Sequence, residues 1–334
     1  MKLYLRLAIV LLTCHALLGA SDDRTQEGKD LINTAVEKTN IFALPHFLMK
    51  GNIQIKDKGK PVNGAYLLVW NGPDEWKEEI SLPGYFEKQV GVKGVVYLKR
   101  TVDFIPLRIE QLHSTLGYGS LVGRSSFIQI APRADETVQK IGERKIRGIK
   151  AKCVEIISTE KNNREVCVDT SAGTLLRKDS FLDKEMMPAD TKVFPRLLSY
   201  EEDGNPIIEV RITELSTSQT FSSADFVAPP DASSRPGCMN PVPFHLIHRV
   251  DPKYPQEDRQ SRMQGTVSVY ALIAKDGSVQ NTRIVSGVST GLNNASLYAI
   301  KQWHYEPASC NGVPVDAETV LTANYTFEGV LESR

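Results

Sequence analysis

The chain has 334 residues, 41% hydrophobic and 24% charged, the composition of ordinary globular protein with length enough for two domains. Its 40 Lys+Arg balance 40 Asp+Glu, so no net charge draws it to nucleic acid or to an anionic membrane, and nucleic-acid binding is set aside.

Residues 1–20 read as a secretory signal: Lys2 and Arg6 precede an apolar run from Leu7 to Leu12 that resumes after Thr13-Cys14-His15. Cleavage is expected after Ala20, where the chain turns polar at Ser21-Asp22-Asp23. The run falls short of the roughly 20 apolar residues of a membrane span, so removal is favoured over retention as an inner-membrane anchor. Thr13 fits poorly before a lipoprotein cysteine, which leaves Cys14 as part of the signal.

Residues 21–29 are polar and expected to be mobile, and 30–38 carry Leu31, Ile32 and Ala35 at helical spacing. A β-rich domain is expected over 30–226. Its strand candidates are Ile53 with Ile55, then 65–70, 76–80, 85–90, 95–100, 138–146, 153–158, 165–169, 175–178 and 207–215, with Asn71-Gly72 as a hairpin signal. One helix is expected near Phe104–Leu116. Many strands joined by short turns imply an antiparallel sheet curved around that helix.

Of the five cysteines, Cys14 belongs to the signal, which leaves Cys153, Cys167, Cys238 and Cys310. Three connectivities are open to them. Cys153 and Cys167 lie on two strand-like runs around a polar turn, which points to Cys153–Cys167, and Cys238–Cys310 follows by elimination; four inert thiols are the alternative. No C-x-x-C spacing suggests zinc. Residues 227–248 contain Pro229-Pro230, Pro236-Gly237, Pro241 and Pro243 and read as a linker, held by the Cys238 bridge as a fixed strap.

From Gly265, the apolar residues Val267, Val269, Ala271 and Ile273 alternate as in a half-buried strand. A tight turn at Lys275-Asp276-Gly277-Ser278 returns the chain over 279–285. Leu292, Ala295, Ser296, Ala299, Ile300 and Trp303 share one helical face, and a last strand places Leu321, Ala323, Tyr325 and Phe327 together. The order is ββαβ.

Several phrases here resemble the C-terminal domain of the TonB energy-transducer family: Pro252-Lys253-Tyr254-Pro255, Gly265-Thr266-Val267-Ser268-Val269, Asp276-Gly277-Ser278-Val279, Trp303-His304-Tyr305-Glu306-Pro307-Ala308 and Asn311-Gly312-Val313-Pro314-Val315. The resemblance covers 249–329 and implies a periplasmic domain that captures an extended segment of an envelope protein, such as a TonB-dependent outer-membrane transporter, by adding it to a sheet edge. It places partner contact at Tyr254, Pro255, Thr319, Leu321, Ala323, Tyr325 and Phe327, and gives structural roles to Gly265, Asp276, Gly277, Trp303 and Pro307. As core anchors, Tyr254, Trp303 and Tyr305 have a second reading, favoured for Trp303 by its helical face.

The first domain resembles periplasmic lipoprotein-carrier half-barrels of the LolA and LppX type, through Gly51-Asn52-Ile53-Gln54-Ile55, the run Gly64 to Trp70 and the run Pro73 to Glu79. That resemblance implies a concavity for a hydrophobic ligand, with a filled core as the alternative. The fold class is thus α+β: an N-terminal curved antiparallel β half-barrel with helices, then a small ββαβ domain. A removable signal and a globular domain where a transducer has an anchor and a long spacer favour a docking protein over an energy transducer.

No catalytic constellation emerges. His245-x-x-His248 is surrounded by prolines and lacks a carboxylate partner, and Ser125, Ser126 and Ser171 lack the glycine-framed elbow of a hydrolase. No metal site, no cofactor and no enzymatic activity are expected.

Overall fold

The computed structural model describes residues 25–57, 60–116, 136–157, 163–178, 180–238, 241–326 and 329–331. The signal 1–20 and Phe327 lie outside the described residues. In chain order the elements are α1 (25–39), β1 (Phe47–Asp57), β2 (Lys60–Trp70), β3 (Glu75–Leu82), β4 (Tyr85–Val92), β5 (Val95–Arg100), α2 (Leu107–Thr115), β6 (Thr137–Ile146), β7 (Ile149–Ile157), β8 (Arg164–Asp169), β9 (Leu175–Lys178), β10 (Phe181–Ala189), β11 (Lys192–Glu202) and β12 (Asn205–Ser216). There follow β13 (Ser233–Pro236), β14 (Pro241–Val242), β15 (His245–His248), α3 (Gln256–Gln260), β16 (Gly265–Ile273), β17 (Val279–Ser286), α4 (Thr290–Ile300), β18 (His304–Glu306), β19 (Ser309–Cys310), β20 (Val313–Pro314), β21 (Ala317–Thr326) and β22 (Gly329–Leu331). No described helix is long and apolar enough to cross a membrane.

Contacts divide the chain into two compact units, 1–44 with 129–206 and 45–128 with 207–334. In the first, neighbouring strands from β6 to β11 follow sequence order and are antiparallel where their register is defined. Helix α1 lays Ile32 and Ala35 on Val138, Val154, Ile156 and Val166. It starts five residues before the expected helix and takes in most of the segment expected to be mobile. Cys153 and Cys167 stand directly opposite each other on β7 and β8 and are disulfide-bonded.

In the second unit, β5, β4, β3, β2, β1 and β12 are successive antiparallel neighbours. The expected Asn71-Gly72 turn joins β2 to β3, with Gly72 at φ +94°. The side of β2–β4 that faces α2 buries Trp70 and Trp76, and also Tyr66, Glu78, Tyr85, Glu87 and Gln89. The expected apolar concavity therefore meets a polar cluster at these positions, completed by the buried His113 of α2.

Within the proline-rich segment 227–248, Ser233–Pro236, Pro241–Val242 and His245–His248 are short strands paired to their neighbours. Strand β13 pairs with β5, and the Gly237 amide donates to the Gly94 carbonyl at 2.7 Å. The Cys238–Cys310 disulfide then ties the strap to β19, while β14 and β15 pair with β19 and β18. The terminal sheet has the order β17-β16-β21-β22, with α4 packed on one face. Its ββαβ order is the one expected.

Candidate docking site

Strand β16 meets β21 over nine consecutive pairs, from Gly265↔Tyr325 to Ile273↔Ala317, without a register shift. Directly paired residues share a face. Val267, Val269, Ala271 and Ile273 therefore join Ala323, Leu321, Thr319 and Ala317 on the side covered by α4, where Leu292, Ile300, Trp303 and Tyr305 complete a buried core. Ser289 caps α4 by accepting from the Leu292 amide at 3.0 Å.

This register settles where the expected contact side chains point. Thr319, Leu321, Ala323 and Tyr325 are buried in the core, so a partner reaching β21 would meet its backbone. The Tyr325 hydroxyl is satisfied by Ser296 at 2.9 Å and by the Leu292 carbonyl at 3.2 Å. Tyr254 packs edge-on against Tyr325, at 5.4 Å between ring centroids, lies beneath the Arg259 guanidinium and donates its hydroxyl to the Met263 carbonyl. Pro255 precedes the short helix α3, its carbonyl accepting from the Arg259 amide. Tyr254 thus braces the core from its rim.

The residues expected to be structural lie at the turn after β16, at the start of β16 and around α4. Gly277 sits at φ +83°, and a Cβ there would lie 1.9 Å from the Tyr305 carbonyl oxygen, so only glycine fits. The Asp276 carboxylate accepts from the Ser278 hydroxyl at 2.6 Å and its amide at 2.9 Å, bonds that hold it below the usual carboxylate range. Gly265 opens β16, and Pro307 separates β18 from β19. Trp303 follows α4 into the core, its indole N–H donating to the Val250 carbonyl at 2.8 Å.

The two long outer strands of the sheet differ. Strand β17 pairs with β16 through two register shifts and carries Asn281 at φ +50°, the kind of irregularity that blunts an edge. Strand β21 is regular over ten residues, and on its outer side the described residues of β22 pair with 324–326. Among the described residues, no strand pairs with 317–323 on that side.

The face opposite α4 was not legible in the sequence. There Glu318 accepts a two-pronged bond from Arg100, at 2.5 and 3.2 Å, and a third from the Tyr270 hydroxyl at 2.7 Å. Arg235 of the strap lies 4.0 Å away. The Arg100 and Glu318 side chains are only 9% and 10% exposed. Burial works to raise the Glu318 carboxyl, but the bonds and charge of Arg100, with Tyr270 and Arg235, outweigh it and hold it below the usual range. Burial, then Glu318, pushes the Tyr270 phenol well up. Beside them Phe104 packs edge-on to Tyr270 at 6.1 Å and lies under the Arg283 guanidinium at 4.5 Å.

An open antiparallel sheet with one helix across one face, and a long strand β21 whose described neighbour β22 pairs with 324–326, defines a small α+β domain. Residues 250–327 match the protein family described as Gram-negative bacterial TonB protein C-terminal, and the chain carries a C-terminal domain of that type. Over 105 residues it is 29% identical to the protein TonB of Vibrio cholerae, covering 30% of this chain and 43% of that relative, so the chain spans less than half the length of the curated relative it matches. Among solved structures it is similar to a DUF1329 family protein from Desulfovibrio piger, at 13% identity and a TM-score of 0.40 over 61% of this chain and 97% of the other. A LolA superfamily protein from Nitrosomonas europaea aligns at 8% identity and a TM-score of 0.38, over 60% and 97% of the two chains.

Proposed function

We propose that this protein is an exported docking module of envelope transport, which takes up an extended segment of a periplasm-exposed partner by strand addition to the outer edge of β21. A TonB-dependent outer-membrane transporter is the partner class to which the terminal domain's family points. The observation that carries this reading is that β21 pairs with β16 in regular register where β17 is bulged, and that among the described residues no strand pairs with 317–323 on its other side. Strand addition draws its affinity from main-chain hydrogen bonds, which fits an edge whose inward side chains are already committed to a core.

Backbone alternation makes the proposal specific. Thr326 and Gly329 pair two residues apart, as the hydrogen-bonded closing pair of a tight hairpin does. Counting back along the strand, Val320 turns its N–H and C=O outward, whereas Leu321 turns its own toward β16. Val320→Pro therefore removes an outward donor and leaves the β16 ladder intact. Full-length protein immobilised and exposed to solubilised envelope is expected to retain its partner, to lose it with Val320→Pro, and to keep it with Gln280→Pro on β17. Equal recovery by all three proteins would rule out addition at β21.

A further inference from the structure

Strands β4 and β5 place Glu87 directly opposite Arg100, an arrangement in which opposite charges ordinarily pair across strands. Here each goes elsewhere. Arg100 sends its guanidinium fork to Glu318 and its Nε–H to the Val102 carbonyl at 2.9 Å. Glu87, buried to 2% exposure, accepts from the Tyr85 hydroxyl at 2.6 Å and from the Gln89 amide at 2.9 Å. The His113 Nε2 lies 3.2 Å from a Glu87 carboxylate oxygen, in contact with it although not aligned as a hydrogen bond. Glu78 belongs to the same cluster through Gln89, at 3.4 Å, and Tyr66, at 3.1 Å.

Glu318 lies in the half of β21 that β22 does not reach. Its two firm partners, Arg100 from β5 and Tyr270 from β16, fix that half from the face opposite the core. A two-pronged guanidinium–carboxylate pair constrains geometry more than a single bond does, and a buried pair is weak evidence for net stability, because its desolvation offsets its attraction.

We propose that Arg100 is a positioning residue for the docking strand: it holds residues 317–323 of β21 in place through Glu318, and it is free for that task because Tyr85, Gln89 and His113 occupy Glu87. The functional meaning rests on the reading of β21 as the docking edge. Glu87 is the alternative carboxylate for Arg100, so the α2 residue His113 influences β21 through the choice Arg100 makes between two acids. Removing the His113 imidazole leaves Glu87 to draw Arg100 away from Glu318.

Hydrogen–deuterium exchange on the full chain, with both disulfides intact, tests this without any partner. Arg100→Gln is expected to speed exchange of the 317, 319, 321 and 323 amides, which turn toward β16, roughly tenfold while those of α4 hold their rate, since local openings vary independently of global unfolding. Arg100→Lys, which keeps the charge and loses the fork, should give a smaller rise, and it carries the same test if Arg100→Gln does not fold. His113→Gln should speed the same β21 amides as well, and adding Glu87→Gln should restore the original rate by removing the competing acid. Unchanged exchange at those amides, acceleration spread equally over α4, or a double variant no slower than His113→Gln alone overturns the proposal. Because no partner enters the measurement, its failure is distinct from failure of the docking reading, which Val320→Pro addresses.

Discussion

The two faces of the terminal sheet are built by different rules. Toward α4 the sheet presents Val267, Val269, Ala271, Ile273, Leu321 and Ala323 to an apolar core. Away from α4 it presents Tyr270, Glu318 and Arg283 to Arg100, Phe104, Asp103 and Arg235. The first face holds the domain together by burial, at about 25 cal/mol per Å² of apolar surface. The second attaches the domain to the strands that precede it, by contacts whose direction matters more than their sum. Stability and placement are thus assigned to opposite sides of one thin layer.

Three perturbations test that division. Trp303→Ala on the apolar face should cost about 3–5 kcal/mol, because it opens a cavity in the core and orphans the Val250 carbonyl. Denaturant unfolding monitored in the far ultraviolet will read it, and a loss below about 1 kcal/mol would mean that the apolar face is not what holds the domain. A smaller effect is expected with acid on the opposite face. In the unfolded chain the Glu318 carboxyl titrates near its ordinary value of 4.5, and in the folded protein below it. Between those values the unfolded chain binds a proton that the folded chain does not, so this contribution to stability is present above the ordinary value and lost as pH falls through the folded one. The difference in stability between wild type and Glu318→Gln should therefore shrink toward acid, and a difference independent of pH would show that the carboxylate is not favoured there. The smallest change is predicted for the double replacement Arg100→Met with Glu318→Leu. Exchanging a buried ion pair for apolar side chains of similar size is close to neutral, about 1 kcal/mol in either direction; a loss as large as that of Trp303→Ala would erase the distinction between the faces.

How far each feature could be read from sequence follows from the range over which it is encoded. Strands β1 to β9 announce themselves through alternation and through turns such as Asn71-Gly72, and the terminal ββαβ order through Gly277 and the helical stripe ending at Trp303. The neighbouring β10 and β11 were not legible, because Pro188 and Pro195 interrupt them and proline ordinarily argues against a strand. Yet Met186↔Pro195 and Pro188↔Val193 are paired in register. The early start of α1 was hidden by Gly28, which reads as a breaker and in fact permits close packing: a Cβ there would fall 2.5 Å from Val138. At the candidate site, the phrases around Tyr254 and the last strand pointed to the strand proposed here as the docking edge. They could not say that Thr319, Leu321, Ala323 and Tyr325 face inward, since alternation defines two faces without naming the wet one. Arg100 and Glu318, separated by 218 positions, carry no local pattern at all.

The Cys238–Cys310 bond also has a mechanical meaning. Its ends are 72 residues apart in sequence and 5.8 Å apart in space. A pull on β21 by an attached strand, resisted from the β1–β5 side, passes from β19 straight to the strap and bypasses everything between. Those 72 residues would otherwise pay out roughly 250 Å of extended chain under tension. With the bond closed, the covalent path bypasses the region that holds β16, β17 and α4, and β21 is moored by a short tether that cannot lengthen.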